Sequence, residues 1–402
     1  MKRKCSIAVI GVGQRGYSYV EMLKKHPDAS LTALCDTSPD RLRAFAKELN
    51  CEKLPLFFSV DELLGKGDFE AAVITTPDFT HAACAAACFR SGKHVMLEKP
   101  MAPTAAECRT IVEESRKSGK ILQVGFVLRH LPLFREVKNL LDAGEIGQLL
   151  SMNCSESVGV MHGASYMRRW HRKSANSGGF LLAKCSHDLD LMTQLAGASP
   201  ARVASFGGLN FFTSDKLKVR FCSMCPDLSC RFRFKGEMVR MTPEETAGPS
   251  ERQFDLCVYN DDKDVVDNQQ VLIEYVNGVR GTFSLDLFAP RPTRRWRLIG
   301  TSGYMEADTG AEKVTLSFSD GREPRELVCH AANDSAHGGS DGLFLDEFIS
   351  CILNGRKPEA DAAAGLASTV TGNAIERSRL EGKIVTIAPE EYLVKIDPGE
   401  KK

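Results

Sequence analysis

The sequence predicts an α/β protein in two parts: an N-terminal domain on a parallel sheet, then an α+β domain with an open, mostly antiparallel sheet. Three observations predict it. Strand-like and helix-like periodicities alternate through the first hundred residues. A glycine-rich turn sits at the first strand–helix junction. After residue 126 the texture changes to longer alternating strands.

Short β-rich runs at Cys5–Ile10, Leu31–Cys35, Ala71–Thr75 and His94–Leu97 are separated by amphipathic stretches, and Ile121–Leu128 is expected to complete the sheet. Strand–helix repeats at this spacing require right-handed crossovers and therefore parallel strands. Ser59 with Glu62, and Thr104 with Glu107, carry the spacing of capping boxes at two helix starts. Further on, helices are expected at Pro132–Ala143 and Phe180–Leu195. Strands are expected at Leu150–Val158, Arg202–Phe212, Val271–Val276, Val279–Leu287 and Trp296–Ile299. Asn277-Gly278 between two of these is a hairpin signal. Residues 213–264 are irregular, polar and rich in Pro and Cys, and read as an excursion from the sheet. Helices around Gly342–Leu353 and Ala363–Leu380 close the chain and are expected to pack back on the first domain. The domains expected are 1–125 and 126–390.

Composition excludes several classes. The 402 residues are 43% hydrophobic and 26% charged, with 52 basic and 52 acidic side chains. That balance and the lack of a long basic cluster argue against a nucleic-acid partner. No apolar run approaches the ~18 residues needed to span a bilayer. Met1-Lys2-Arg3-Lys4 is followed by a brief apolar run that enters a glycine motif with no small-residue cleavage site. Fourteen cysteines without a secretory signal point to reduced thiols, and the cytoplasm is the expected location.

Gly11-Val12-Gly13-Gln14-Arg15-Gly16 follows a strand and opens a helix. Gly11 and Gly13 let the chain turn tightly and approach a pyrophosphate, and Gly16 permits close helix–strand packing. The helix start, through Gln14 and Arg15, offers N–H donors and a positive dipole end to phosphate. Asp36 lies 20 residues beyond Gly16, at the end of the second strand. A carboxylate there accepts from ribose hydroxyls and repels a 2′-phosphate, so NAD is expected over NADP. A helix-capping role before Pro39 is the other reading of Asp36.

Val73-Ile74-Thr75-Thr76-Pro77-Asp78-Phe79-Thr80-His81 and Gly92-Lys93-His94-Val95-Met96-Leu97-Glu98-Lys99-Pro100 resemble the glucose–fructose oxidoreductase/inositol dehydrogenase/MocA (Gfo/Idh/MocA) family. Ser177-Gly178-Gly179, His187-Asp188-Leu189-Asp190 and Asp264-Val265-Val266-Asp267 extend the likeness over nearly the whole chain. The resemblance implies a Rossmann domain and an α/β domain with substrate at their junction. It also implies a homo-oligomer, dimer or tetramer, formed through the outer face of the second sheet. Thr76, Pro77, His81 and Glu98 join the expected cofactor site, with His81 near the nicotinamide ribose or serving as a cap.

The residues support alcohol oxidation on their own terms. Hydride leaves a secondary alcohol only if its hydroxyl proton reaches a base. Lys99 ends the fifth strand at its carboxyl edge, where open parallel sheets bind ligands. A lysine serves as that base when burial or a nearby cation lowers its pKa; otherwise it is a surface lysine paired with Glu98. On the helix through Phe180–Leu195, Lys184 and His187 share a face, and a nearby ammonium favours the neutral imidazole. The family's aspartate four residues before this histidine is replaced by Ala183. Tyr166, Arg169 and Trp170 form an aromatic and basic cluster, with Arg168 and His171, suited to sugar hydroxyls. His337, with Asp341, precedes a closing helix and is a further substrate candidate; a helix N-cap is the other reading of Asp341.

Cys222, Cys225, Cys230 and Cys257 supply four thiols in the excursion, and a structural zinc is the ligand they suggest. Packing as small hydrophobes is the alternative. Three functions stand open: an NAD-dependent sugar or polyol dehydrogenase; a redox-assisted glycosidase that recycles tightly held NAD; and a non-enzymatic nucleotide sensor.

Overall fold

A computed structural model of the chain describes residues 3–234, 255–331 and 337–393. The first sheet comprises β1 (Cys5–Ile10), β2 (Ala29–Cys35), β3 (Leu56–Phe57), β4 (Ala71–Ile74), β5 (His94–Leu97) and β6 (Leu122–Val124). Its order is β3-β2-β1-β4-β5-β6, with every pairing parallel. The chain crosses over after β3, so the carboxyl ends of β1 and β4 flank the crevice where such sheets bind ligands. β1 and β4 are nearly continuous apolar runs because helices cover both faces of the sheet. The expected strand Ile121–Leu128 is shorter than its apolar content suggested. It ends at Val124, and Val127–His130 turns as a 3-10 segment toward the second domain.

The second sheet is nine-stranded, with β7 (Leu149–Gly159), β8 (Pro200–Gly208), β9 (Asn268–Tyr275), β10 (Arg280–Ala289), β11 (Thr293–Gly300), β12 (Gly303–Asp308), β13 (Lys313–Phe318), β14 (Arg325–Val328) and β15 (Val385–Thr386). The order is β14-β13-β12-β11-β7-β10-β9-β8-β15, antiparallel except for β7 beside β10. Asn277-Gly278 turns the β9–β10 hairpin, with Gly278 at φ +84°. Alternation buries Val271, Ile273 and Tyr275 on one face of β9 and leaves Leu272 on the other. Helices Phe180–Ala196 and Ala362–Glu381 cover the buried face. The run Arg202–Phe212, expected as one strand, leaves the ladder after Gly208, where Asp267 accepts from the N–H groups of Asn210, Phe211 and Phe212.

Thr104 and Glu107 form a complete capping box at the helix Ala105–Ser118. Ser59 accepts from Glu62 N–H, but the Glu62 carboxylate turns to Phe58 N–H, so that box is one-sided. The closing helix Ala362–Glu381 packs on Ala105–Ser118, and Asn373 bonds to Ala105 N–H and Pro103 O. The other closing helix, Ser340–Asn354, is tied to β6 through Gln123 and Phe344 O. Among the described residues no helix is long and apolar enough to cross a membrane. Within the excursion, Phe212, Phe232 and Tyr259 form an aromatic cluster, and 235–254 lie outside the described residues.

All fourteen cysteines are free thiols. The expected zinc site is not formed: among the described residues no three His, Cys, Asp or Glu side chains gather to hold a metal. The buried guanidinium of Arg168 stands beside Cys222, Cys257 and Cys230, with Nη2 3.9 Å from Cys222 Sγ. A second cation among these sulfurs would be repelled by it.

Candidate active site

The glycine-rich turn has the shape a dinucleotide needs. Gly11 sits at φ +93°, and a Cβ there would lie 2.8 Å from Thr76 N. Gly13 faces open space, so its missing side chain leaves a cradle above the helix Gln14–Lys25. That helix has no side-chain cap and no acid in its first turn, leaving its N–H groups and positive end for phosphate. At the end of β2, Asp36 accepts from Val12 N–H at 3.0 Å and Ser38 N–H at 2.9 Å. Asp36 therefore shapes the glycine turn. The cap of the following helix is Ser38 rather than Asp36. Each carboxylate oxygen keeps a lone pair for a ribose hydroxyl. These residues fit NAD.

Arg15 is half-buried and strapped to three groups. Its guanidinium donates to Glu98 at 2.7 Å, Tyr19 Oη at 2.9 Å and Asp341 at 2.8 Å. Burial opposes ionisation of Glu98, but Arg15 and Lys99 outweigh it and hold the carboxyl below its ordinary range. Glu98 also accepts from Tyr19 Oη and Lys99 N–H, so the Glu-Lys pair is fixed by the glycine-loop helix.

Lys99 itself reaches the other domain: Nζ donates to Ala183 O at 2.8 Å. The helix Phe180–Ala196 breaks its regular geometry two residues on, at Cys185 (φ −105°, ψ 15°). Such breaks turn carbonyls toward partners outside the helix. His187 follows, 4% exposed, with Nδ1 lacking a hydrogen-bond partner among the described residues. Burial first, then the charges of Lys99, His337, Arg294 and Lys184, push its pKa well below the ordinary value. Phe126 packs against its ring.

Two expected site residues do different work. Lys184 pairs with Glu156 at 3.1 Å instead of resting against His187. Burial opposes its charge, yet Glu156 raises its pKa, which makes it a poor proton donor. Glu156 also meets Arg294, which bonds Asp188 at 2.8 Å, giving a buried four-charge network under His187. His81 is fully buried, with Nδ1 and Nε2 each 2.9 Å from a carbonyl, of Pro100 and Thr76. Burial lowers the ring's pKa, so the neutral imidazole donates to only one of these carbonyls, and both nitrogens face the loops after β4 and β5.

Tyr166, Trp170 and His171 do come together. Trp170 stacks on His171 at 3.5 Å between ring centres, and Tyr166 lies 4.3 Å from His171. Phe79, from the loop after β4, meets Trp170 edge-on at 5.7 Å. Arg169 lies close enough to affect Asp78 and His171 electrostatically.

Sequence reasoning missed the role of Asp78 and the partner of Asp341. Asp78 is buried with Oδ2 unpartnered among the described residues, and burial, against the pull of Lys99, pushes its carboxyl well above the carboxylate range. Asp341 ties Arg15 to His337, and although burial opposes its ionisation, His337 and Arg15 hold it far below that range. For Asp78 the available signal was a carboxylate beside Pro77, and for Asp341 the spacing to His337, but neither names Arg15 or Lys99 as a neighbour in sequence.

His171 and His187 are both driven well below the ordinary pKa, by burial first. Both rings are expected to stay neutral at pH 6, where a free imidazole is mostly protonated. Imidazole ¹⁵N spectra would check this, and a protonated His187 at that pH would refute it.

Comparison with known proteins places these features in a family. Residues 5–126 match the oxidoreductase family's NAD-binding Rossmann fold, and residues 138–387 match its C-terminal alpha/beta domain. YteT, a protein of Bacillus subtilis (strain 168), is 25% identical over 420 residues, covering 94% of this chain and 96% of its own. The myo-inositol 2-dehydrogenase of Thermotoga maritima is 30% identical over 203 residues, covering 50% of this chain and 58% of its own. Levoglucosan dehydrogenase, solved with NADH and levoglucosan, superposes with a TM-score of 0.75 at 18% identity, covering 96% of this chain and 100% of that one. With both of its domains matched in order, the chain belongs to the Gfo/Idh/MocA family of NAD-binding oxidoreductases.

Proposed function

We propose that this protein oxidises a secondary hydroxyl of a sugar, polyol or glycoside with NAD⁺, Lys99 receiving the hydroxyl proton. The observation that carries the reading is the lysine's position. It stands at the carboxyl end of β5, beyond the cofactor turn, and spans to Ala183 O beside a buried neutral His187. When bound, NAD⁺ supplies the carbon that accepts the hydride. The Gly11–Gly16 turn, Gln14 and Arg15 backbone N–H groups and Asp36 hold its phosphates and ribose, with Thr76 and Pro77 as the next wall.

The chain's own residues then exclude water and manage the proton. Glu98, itself held by Arg15, accepts from the Lys99 backbone; Phe126 packs on His187, and the Lys184–Glu156–Arg294–Asp188 network anchors the helix residues on either side of it. Tyr166, Arg169 and Trp170 offer a stacking face and a donor to a polyhydroxylated ring. The names of relatives, inositol dehydrogenases and levoglucosan dehydrogenase, support that substrate class. The open face of the nine-stranded sheet, where Phe206, Leu272 and Ile384 are exposed, supports assembly with a second copy.

The test is to incubate the protein with NAD⁺ and inositols, aldoses, levoglucosan or nitrophenyl glycosides, following reduced nicotinamide and nitrophenol together. Reduction with a polyol or sugar supports the dehydrogenase, and none with any compound defeats it. Nitrophenol release without net reduction would assign redox-assisted cleavage instead. For cofactor choice, Asp36→Ala is expected to weaken NADH binding by about tenfold, the loss of one charge-assisted hydrogen bond, with little change for NADPH. Titrations of both nucleotides check this, and an unchanged ratio refutes the ribose role.

A further inference from the structure

Oxidising an alcohol with NAD⁺ leaves one proton to dispose of. The carbon-bound hydrogen departs with its electron pair, and the oxygen-bound proton stays on whichever base took it. Lys99, the receiving group, is half-buried at the domain junction with its Nζ turned to Ala183 O, and the proton must pass from it to solvent.

One imidazole nearby is built for this. His337 Nδ1 lies 3.0 Å from Asp341 Oδ2 and 3.2 Å from Oδ1, in an i,i+4 pair at the start of the helix Ser340–Asn354. Gly338 and Gly339, at φ +58° and +89°, turn the chain between them, a conformation an L side chain would strain. Asp341 is ionised, because Arg15 donates to its Oδ1 and His337 bonds both oxygens. An ionised carboxylate only accepts, so Nδ1 must carry the hydrogen, and in the neutral ring it is Nε2 that presents a lone pair. The ring centre of His337 lies 6.0 Å from that of His187, edge to face, and His187 feels the charge of Lys99. His337 is a quarter exposed while His187 is buried. The charged groups about the pair are Asp341 and Arg15 on one side, and Lys99, Arg294 and Lys184 beyond His187 on the other.

We propose that the His337–Asp341 pair is the outer end of a proton relay, carrying the substrate's hydroxyl proton from Lys99, past His187, to solvent. The alcohol O–H bond breaks to Lys99 Nζ, the ammonium proton passes to the neutral His187, and His337 Nε2 takes it up. Asp341 stabilises the resulting imidazolium until water removes the proton, returning each group to its starting state. In this scheme His337 is a positioning and relay residue, acting through Lys99 and His187.

The inference rests on the dehydrogenase reading above. Its test uses the full-length protein with NAD⁺ and whichever of myo-inositol, levoglucosan or glucose it oxidises. His337→Ala is expected to lower kcat at least tenfold, with NADH affinity unchanged, and added imidazole to restore part of the rate. His337→Gln, which keeps bulk at the turn but cannot take up the proton, should be equally slow and not be rescued by the side chain's size. Ring ¹⁵N spectra of the unliganded protein should show His337 protonated at Nδ1, and Asp341→Asn should remove that preference. A wild type inactive on all three compounds overturns the dehydrogenase reading and the relay with it. An active wild type with His337→Ala within twofold, or slowed without imidazole rescue, overturns the relay alone. A His337 ring protonated at Nε2 does the same without any turnover.

Discussion

Lys99→Ala is expected to lower kcat by about 10²- to 10⁴-fold, the range for loss of a positioned acid–base group, with NADH affinity within threefold of wild type. The side chain touches the second domain, at Ala183 O, and not the glycine turn. The cofactor turn is held instead by Asp36, and the Glu98 carboxylate is held by Arg15 and Tyr19. Removing the ammonium leaves Ala183 O short of one donor, a cost of about 1–3 kcal/mol when buried. Denaturation midpoints must therefore accompany the kinetics. Lys99→Arg keeps a donor for that carbonyl but cannot deprotonate. Restored stability with turnover still lost would separate proton transfer from support. Turnover equal to wild type in Lys99→Ala would remove the lysine from the chemistry.

The second large effect is a contrast between two glycines of the same turn, Gly16 and Gly13. Gly16→Ala would set a methyl 2.2 Å from Gly11 O and 3.1 Å from Thr75 Oγ1. The first contact is backbone in the turn itself, so relief requires the helix to move off β1. Overpacking of this kind costs about 1–3 kcal/mol, and both thermal stability and NADH binding are expected to fall. Gly13→Ala meets nothing within 4 Å, and its extended φ of −75° suits alanine. It should leave the melting temperature unchanged while filling the phosphate cradle and abolishing measurable NADH binding. Calorimetry with nucleotide titration distinguishes the two. Intact binding in Gly13→Ala would mean the pyrophosphate lies elsewhere.

Legibility in the sequence follows the range of the interaction. The glycine turn, Asp36, the Thr104–Glu107 box and the Asn277-Gly278 hairpin each depend on residues within about one element of one another, and each is present. The strands β12 to β15 were not predicted. β12 and β13 alternate, burying Met305, Ala307, Val314 and Leu316, but span only six residues each, and β14 and β15 are shorter still and formed by edge pairing. The His187-Asp188-Leu189-Asp190 segment reads as a site motif, but its two carboxylates serve the fold. Asp188 bonds Arg294, and Asp190 bonds the buried guanidinium of Arg129 at 2.7 Å. Charges on a buried helix announce that partners exist without naming them.

By itself the sequence determined the two-domain α/β plan, the glycine turn with Asp36 at the end of the next strand, and Lys99 at the end of its own. All arise from local periodicity, turn chemistry and short spacing. Only the tertiary structure decided what surrounds that lysine. It sets Ala183 O against Nζ across 84 positions of chain, and Asp341 against Arg15 across 326. It also moved Lys184 to Glu156, buried His81 against the Pro100 and Thr76 carbonyls and placed a guanidinium beside the expected metal thiols. A buried polar group takes whichever partner the packed fold brings within hydrogen-bond reach, because leaving it unpaired is costly, and sequence spacing does not encode that meeting.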